Sequence, residues 1–242
     1  MFSSQERAAT HTDSHYNEQM NTTLLPCIEL ETGQTPRASV IWLHGLGADG
    51  HDFEPIVQAL RLPSTPAIRF VFPHAPQRPV TINGGMRMRA WYDIFQMGGG
   101  PEDADGIHAS QAQLNALISR ETQRGVAPSH IVLAGFSQGG AIVLQTGLRH
   151  AERLGGILAL STYLPLASTV AQEAAPANRS LPIFMAHGQY DPVIALPRAE
   201  HSRDALQALG YAIDWHVYDM EHAVCPEELG DLRAWLMNIV NR

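Results

Sequence analysis

His130-Ile131-Val132-Leu133-Ala134-Gly135-Phe136-Ser137-Gln138-Gly139-Gly140-Ala141-Ile142-Val143-Leu144 runs from one apolar stretch, through a turn carrying a serine, into a second apolar stretch. The first stretch has the length and β-branched content of a buried strand, and the second reads as the start of a helix. A strand, a sharp turn and a helix are the context in which a G-x-S-x-G string becomes a nucleophile elbow. The flanking glycines have a steric reason. Strand and helix approach so closely that a side chain at Gly135 or Gly139 would clash, while Ser137 is left on strained backbone with its Oγ exposed. The helix also points its positive end at the reaction centre.

A serine hydroxyl is a poor nucleophile until a base takes its proton, so a histidine and a group that orients it are needed. On this elbow the partners follow in the order Ser, Asp or Glu, His. Leu181-Pro182-Ile183-Phe184-Met185-Ala186 reads as a buried strand, and the loop after it carries Asp191. Ala212 to Tyr218 alternates as a strand should, and His222 follows it, ahead of a helix that opens at Pro226. Loops after parallel strands lie at one edge of an open sheet. Asp191 and His222 are therefore the expected acid and base. Of the twelve histidines, His44 and His187 precede Asp191 and break the chain order. His216 falls inside a strand and His201 on a helix surface. Asp214 and Asp219 flank the last strand, and Asp219 is the serious alternative acid. With a histidine base, activity is expected to fall as pH drops through about 6 to 7.

The developing oxyanion needs backbone N–H donors. One is the amide of the residue after the nucleophile, Gln138. The other is expected from the loop after the early strand Val40-Ile41-Trp42-Leu43, where His44-Gly45-Leu46-Gly47-Ala48-Asp49-Gly50 turns on three glycines and best exposes the amide of Leu46. An ordinary strand-to-helix turn is the plain alternative. A phosphate loop is disfavoured because no lysine follows these glycines.

Indeed, all sixteen basic residues are arginine. Schiff-base chemistry, a Walker-A lysine and a Ser-Lys dyad are excluded on that ground. There is no H-E-x-x-H string or paired-cysteine motif, so no metal is expected, and no dinucleotide fingerprint stands out, so no cofactor is expected either. Cys27 and Cys225 are far apart and suggest no disulfide framework; Cys225 reads as a free buried thiol.

Six stretches together resemble the bacterial carboxylesterase and acyl-protein thioesterase family, the phospholipase/carboxylesterase branch of the α/β-hydrolases. They are His44 to Gly50, Pro73 to Gly85, Arg89 to Ile94, Gly135 to Gly140, His187 to Pro192 and His222 to Glu228. The resemblance runs from about Leu24 to the end. It implies the α/β-hydrolase fold, a mostly parallel central sheet with helices on both faces and no large lid domain. It carries the family's nucleophile, acid and base onto Ser137, Asp191 and His222, and its oxyanion amides onto Leu46 and Gln138. It also implies an acyl groove near Leu46, Tyr163 and Val193. Many relatives carry Trp or Cys around the Tyr163 segment, so Tyr163 departs from them and leaves chain-length preference open. The activity implied is acyl transfer to water from a small ester or thioester through an acyl-enzyme, with a thioesterase, a lysophospholipase or a non-catalytic binding protein as alternatives. A homodimer is a further option that relatives suggest.

The rest of the chain agrees. At 242 residues and 45% apolar composition, residues 23–242 suit one catalytic domain. The net charge of −8 and the absence of a basic cluster argue against nucleic acid. No apolar stretch approaches the length of a membrane span. Residues 1–22 are polar with no apolar leader core, which predicts a disordered tail, a cytoplasmic location and a native start that could lie at Met20. Further strands are expected at Ile68–Phe72 and Gly156–Leu160, and helices at Ala104–Arg124, Pro197–Leu209 and Pro226–Val240. Between them, Pro73 to Asp103 reads as a long connection rich in Gly, Pro and Met, of the kind that is functional or disordered. Trp91, Tyr92 and Met86 within it are either packing residues or a hydrophobic rim for acyl chains.

Overall fold

The computed structural model describes residues 24–96 and 98–241. The expected tail at 1–22 and the alternative start at Met20 lie outside the described residues.

A seven-stranded sheet organises the chain. Its strands are β1 (Cys27–Glu31), β2 (Ala38–Leu43), β3 (Ile68–Pro73), β6 (Ile131–Phe136), β7 (Gly156–Leu160), β8 (Ile183–Gly188) and β9 (Ile213–Tyr218), with β4 (Gln77–Val80) and β5 (Met86–Arg89) forming a separate hairpin. The spatial order is β1-β3-β2-β6-β7-β8-β9. Only the edge pair β1 and β3 is antiparallel; the remaining neighbours run parallel. This is the α/β-hydrolase fold with its mostly parallel sheet.

The strands β2, β3, β7 and β8 are buried along their whole length, which is why their sequences are continuous apolar runs rather than alternating ones. Successive residues still face opposite layers. Ile41, Leu43, Leu133 and Met185 pack with Leu114, Leu117 and Ile142 from α2 (Ala104–Gln123) and α3 (Gln138–Arg149), and with Leu206 from α5 (Leu196–Ala208). Val40, Trp42, Phe70 and Phe184 turn the other way, onto Ile56 of α1 (Ile56–Ala59) and onto Leu232, Leu236 and Ile239 of α6 (Pro226–Val240). Helices thus cover both faces, with α4 (Val170–Glu173) a single turn between β7 and β8.

Two features depart from the sequence reading. The edge strand β1 was not expected, because Cys-Ile-Glu-Leu-Glu is short and half exposed. Ile28 and Leu30 turn inward, whereas Glu29 pairs with Arg120 and Arg124 at 2.8 Å each and Glu31 with Arg69 at 2.9 Å. The long connection after β3 is also not featureless. It folds into the β4–β5 hairpin, closed by a 3-10 turn at Thr81–Asn83 and by Gly84 and Gly85 at φ 66° and 78°, values that glycine adopts at little cost.

Because β2, β6, β7, β8 and β9 all run the same way, the loops after them open at one edge of the sheet. Those loops carry Leu46, Ser137, Tyr163, Asp191 and His222.

Candidate active site

Strand β6 ends at Phe136, and α3 begins at Gln138, so Ser137 alone makes the turn. Its φ of 54° and ψ of −120° are a strained conformation for a residue with a side chain. Three hydrogen bonds hold it there. Ser137 N–H donates to Leu160 O at 2.9 Å, and its carbonyl accepts from Thr162 Oγ1 at 2.7 Å and from Ala141 N–H at 3.1 Å. A β-carbon at Gly135 would fall 2.5 Å from the Gly139 carbonyl, and one at Gly139 would collide with the carbonyl oxygen of Leu43 in β2. The elbow is therefore fixed by backbone contact on both sides.

Asp191 follows β8 and is buried. Its Oδ1 accepts from the N–H groups of Val193 and Ile194, both at 2.8 Å, so the side chain caps its own turn. That leaves Oδ2 to accept from His222 Nδ1 at 2.6 Å. The His222 ring also packs on Phe136, the neighbour of Ser137, with ring centroids 4.7 Å apart. No hydrogen bond joins Ser137 Oγ to His222 among the described residues; such contacts often tighten only with substrate bound. With Nδ1 given to Asp191, the Nε2 atom of His222 is left as the proton acceptor.

The rival residues fall elsewhere. His44 is buried with both nitrogens used: Nδ1 donates to Gly45 O at 2.7 Å, and Nε2 accepts from Ala75 N–H at 3.1 Å. Burial pushes its pKa down to about 4. His187 is buried too. Its Nε2 donates to Ile194 O at 2.7 Å and lies 3.3 Å from Asp191 Oδ2, and burial lowers its pKa. Asp219 is exposed, Asp214 bonds His216 at 2.9 Å, and His201 is exposed on α5. Cys225, read as a buried free thiol, is free but only half-buried.

A cavity of about 320 Å³ opens beside Ser137. Leu46, Gln138, Tyr163 and Val193 line it, as does Tyr92, together with Ile82, Ile94, Phe95 and Arg198, which the sequence reading did not assign to a groove. Neither Leu46 N–H nor Gln138 N–H is used in a backbone hydrogen bond outside helices and strands among the described residues. Trp91 is a correction. Considered as a rim residue for acyl chains, it is only 1% exposed, packs in the core and does not line the cavity. Its indole N–H donates to His44 O at 2.9 Å, and its backbone N–H to Gln138 Oε1 at 2.8 Å. Of the three residues weighed in that segment, only Tyr92 lines the cavity; Met86 is 65% exposed on the hairpin. The Gln138 side chain was missed altogether. It clamps the wall to the elbow, since its Nε2 also donates to Tyr92 O at 2.7 Å. Among the described residues no group of three His, Cys, Asp or Glu is arranged to hold a metal ion.

The family model for Phospholipase/Carboxylesterase matches residues 27–240. The chain belongs to that family. It is 43% identical to acyl-protein thioesterase 1 of Gibberella zeae over 209 residues, covering 82% of this chain and 89% of that protein. It is 41% identical to acyl-protein thioesterase 1 of Neurospora crassa over 224 residues, covering 88% and 89%. Among solved structures it resembles Zea mays acyl-protein thioesterase 2, with a TM-score of 0.78, 28% identity and coverage of 89% and 99%. As a member of this family the chain is a carboxylic ester hydrolase, acting on acyl esters or thioesters.

Proposed function

We propose that this hydrolase cleaves short-to-medium acyl esters and thioesters through an acyl-enzyme on Ser137, with His222 as base and Asp191 as its partner. The observation that carries the reading is the 2.6 Å bond from His222 Nδ1 to a buried Asp191 oxygen, on the same sheet edge as a serine held at φ 54°.

His222 Nε2 takes the Ser137 proton as Oγ attacks the acyl carbonyl. The N–H groups of Leu46 and Gln138 receive the oxyanion, and the positive end of α3 adds to their field. Asp191 keeps the imidazole proton on Nδ1 and stabilises the imidazolium. His222 then protonates the departing alcohol or thiol. Water repeats the sequence on the acyl-enzyme, releasing the acid and restoring Ser137. Leu46, Tyr163 and Val193 line the acyl groove in this reading, and the groove opens to solvent without a lid domain. No helix among the described residues is long and apolar enough to cross a membrane. The proposal places the enzyme in the cytoplasm, on dissolved substrates.

The test is hydrolysis of p-nitrophenyl esters from acetate to palmitate by wild type and Ser137→Ala side by side. Activity that vanishes in the variant, with a peak at short or medium chains, is expected. Equal activity in both, or none in either, would overturn the assignment. The names of the fungal relatives favour thioesters as the physiological bond. The same three residues serve both leaving groups, so kcat/KM on a matched ester and thioester separates the two.

A further inference from the structure

The cavity beside Ser137 is lined by the apolar Leu46, Ile82, Ile94, Phe95 and Val193 and also by polar side chains, among them Tyr92, Tyr163 and Arg198. There the hydroxyls of Tyr92 and Tyr163 meet at 2.7 Å, and the Arg198 guanidinium lies over the Tyr163 ring, 3.5 Å from its centroid.

Arg198 and the hydroxyl pair supply donors to the cavity. Two hydroxyls carry two protons, and the bond between them uses one. Neither has another acceptor among the described residues, so one O–H is left over. Burial pushes both phenols up, which keeps them protonated. Stacking on a ring occupies the face of a guanidinium and leaves the N–H edge of its planar fork available. On α5 it is Arg203 that pairs with Glu200 and Asp204, at 3.9 and 2.8 Å; no carboxylate among the described residues pairs with Arg198. Two acidic residues also line the wall, and the Glu102 charge reaches both phenols and raises them further. Asp93 accepts from Thr81 N–H at 2.7 Å and Thr81 Oγ1 at 2.5 Å, and Glu102 accepts from Leu166 N–H at 3.0 Å. Helix stability does not explain the cation either. Arg198 stands in the first turn of α5, where the helix dipole disfavours positive charge and favours an anion.

We propose that this cluster in the cavity wall is an anion subsite, in which Arg198 and the Tyr92–Tyr163 hydroxyl pair receive a carboxylate or phosphate carried by the substrate. The inference rests on the Ser137 reading and adds a substrate class to it: acyl esters or thioesters with an anionic group within reach of the reacting carbonyl. That group can sit at the end of the acyl chain or on the departing alcohol or thiol.

Two matched pairs separate these sources. Mono-4-nitrophenyl glutarate against 4-nitrophenyl pentanoate places the charge on the acyl side. The butanoyl ester of 4-hydroxybenzoate against that of 4-hydroxybenzamide places it on the leaving group. In one pair, Arg198→Gln is expected to lower the anionic-to-neutral ratio of kcat/KM by about tenfold or more, as loss of a charge-assisted hydrogen bond should. Arg198→Lys is expected to recover part of that ratio, and Tyr163→Phe to lower it less. Ratios unchanged in both pairs by Arg198→Gln and by Tyr163→Phe would overturn the subsite, and the second variant decides if the first does not fold. A titration of glutarate and of phenyl phosphate, followed by calorimetry, reads the subsite without catalysis. Binding weakened in Arg198→Gln supports it, and equal or absent binding in both proteins contradicts it. Failure of every ester in wild type would instead count against the Ser137 reading.

Discussion

The two sides of the cavity are held in different ways. On the sheet side, Ser137 is held chiefly through its own main chain: its N–H donates to Leu160 O, its carbonyl accepts from Ala141 N–H and from the Thr162 hydroxyl, and the flanking glycines are pressed against the backbones of α3 and β2. The opposite wall, from Ile82 to Glu102, is held by side chains that reach across. Gln138 clamps Trp91 and Tyr92, the Trp91 indole bonds His44, Ser110 bonds the Trp91 carbonyl, and Asp103 receives Asp93 N–H at 2.8 Å. Backbone sterics admit few residue types, whereas a side-chain clamp can be built from many. The first side is therefore the more rigidly specified, and the second is where acyl preference can vary.

This contrast can be broken at several points. The largest effect belongs to the proposed acid. Asp191→Asn should lower kcat on a p-nitrophenyl ester by about 10⁴ if it controls the tautomer, while Asp219→Asn stays near wild type. The reverse outcome would move the role to Asp219. Next come the glycines. Gly139→Ala drives a β-carbon into the Leu43 carbonyl and should destabilise the fold by about 3 kcal/mol or more in a urea melt. Gly84→Ala in the hairpin meets open space at φ 66° and should cost about 1 kcal/mol. Equal losses would mean that the elbow is no more tightly fixed than the wall.

Gln138→Ala keeps the backbone N–H of Gln138 but orphans Trp91 N–H and the Tyr92 carbonyl. Each buried group left unpaired costs about 1–3 kcal/mol. The chain-length profile and KM should shift more than kcat on the acetate ester; a uniform fall in kcat would make the clamp part of the catalytic side. The smallest effect concerns Glu228 in the first turn of α6. It is buried with neither oxygen bonded, and burial pushes its pKa up from 4.5 to about 8. The folded protein therefore keeps a proton that the unfolded chain gives up near 4.5, so this carboxyl removes stability as pH rises from about 4.5 to about 8. Glu228→Gln should raise Tm more at pH 9 than at pH 5. An equal shift at both would contradict a neutral carboxyl in the fold.

Legibility in the sequence follows the same division. The elbow could be read because two glycines and a serine between a β run and a helix leave little else for that stretch to be. Helix α6 could be read to its ends because Pro226 opens it and its apolar residues share one face. The placement of Asp191 and His222 on loops after two strands could be read from the chain, and the bond between them is what the structure adds. The wall could not. Its glycines and prolines marked only a long connection, the Gln-Arg-Pro-Val and Met-Arg-Met-Arg that pair as β4 and β5 carry no strong β pattern, and nothing local distinguishes Trp91 in the core from Tyr92 in the cavity. Arg198 was equally silent, because its neighbour Tyr163 lies 35 positions away and only the fold stacks them.

The central claim is that Ser137, activated through His222, is the atom that takes the acyl group. Labelling with a fluorophosphonate, followed by digestion and mass mapping, tests it most directly. The label is predicted on the peptide carrying Ser137, at a rate that collapses in His222→Ala. A label on any other residue, or a Ser137 rate indifferent to His222, would contradict it.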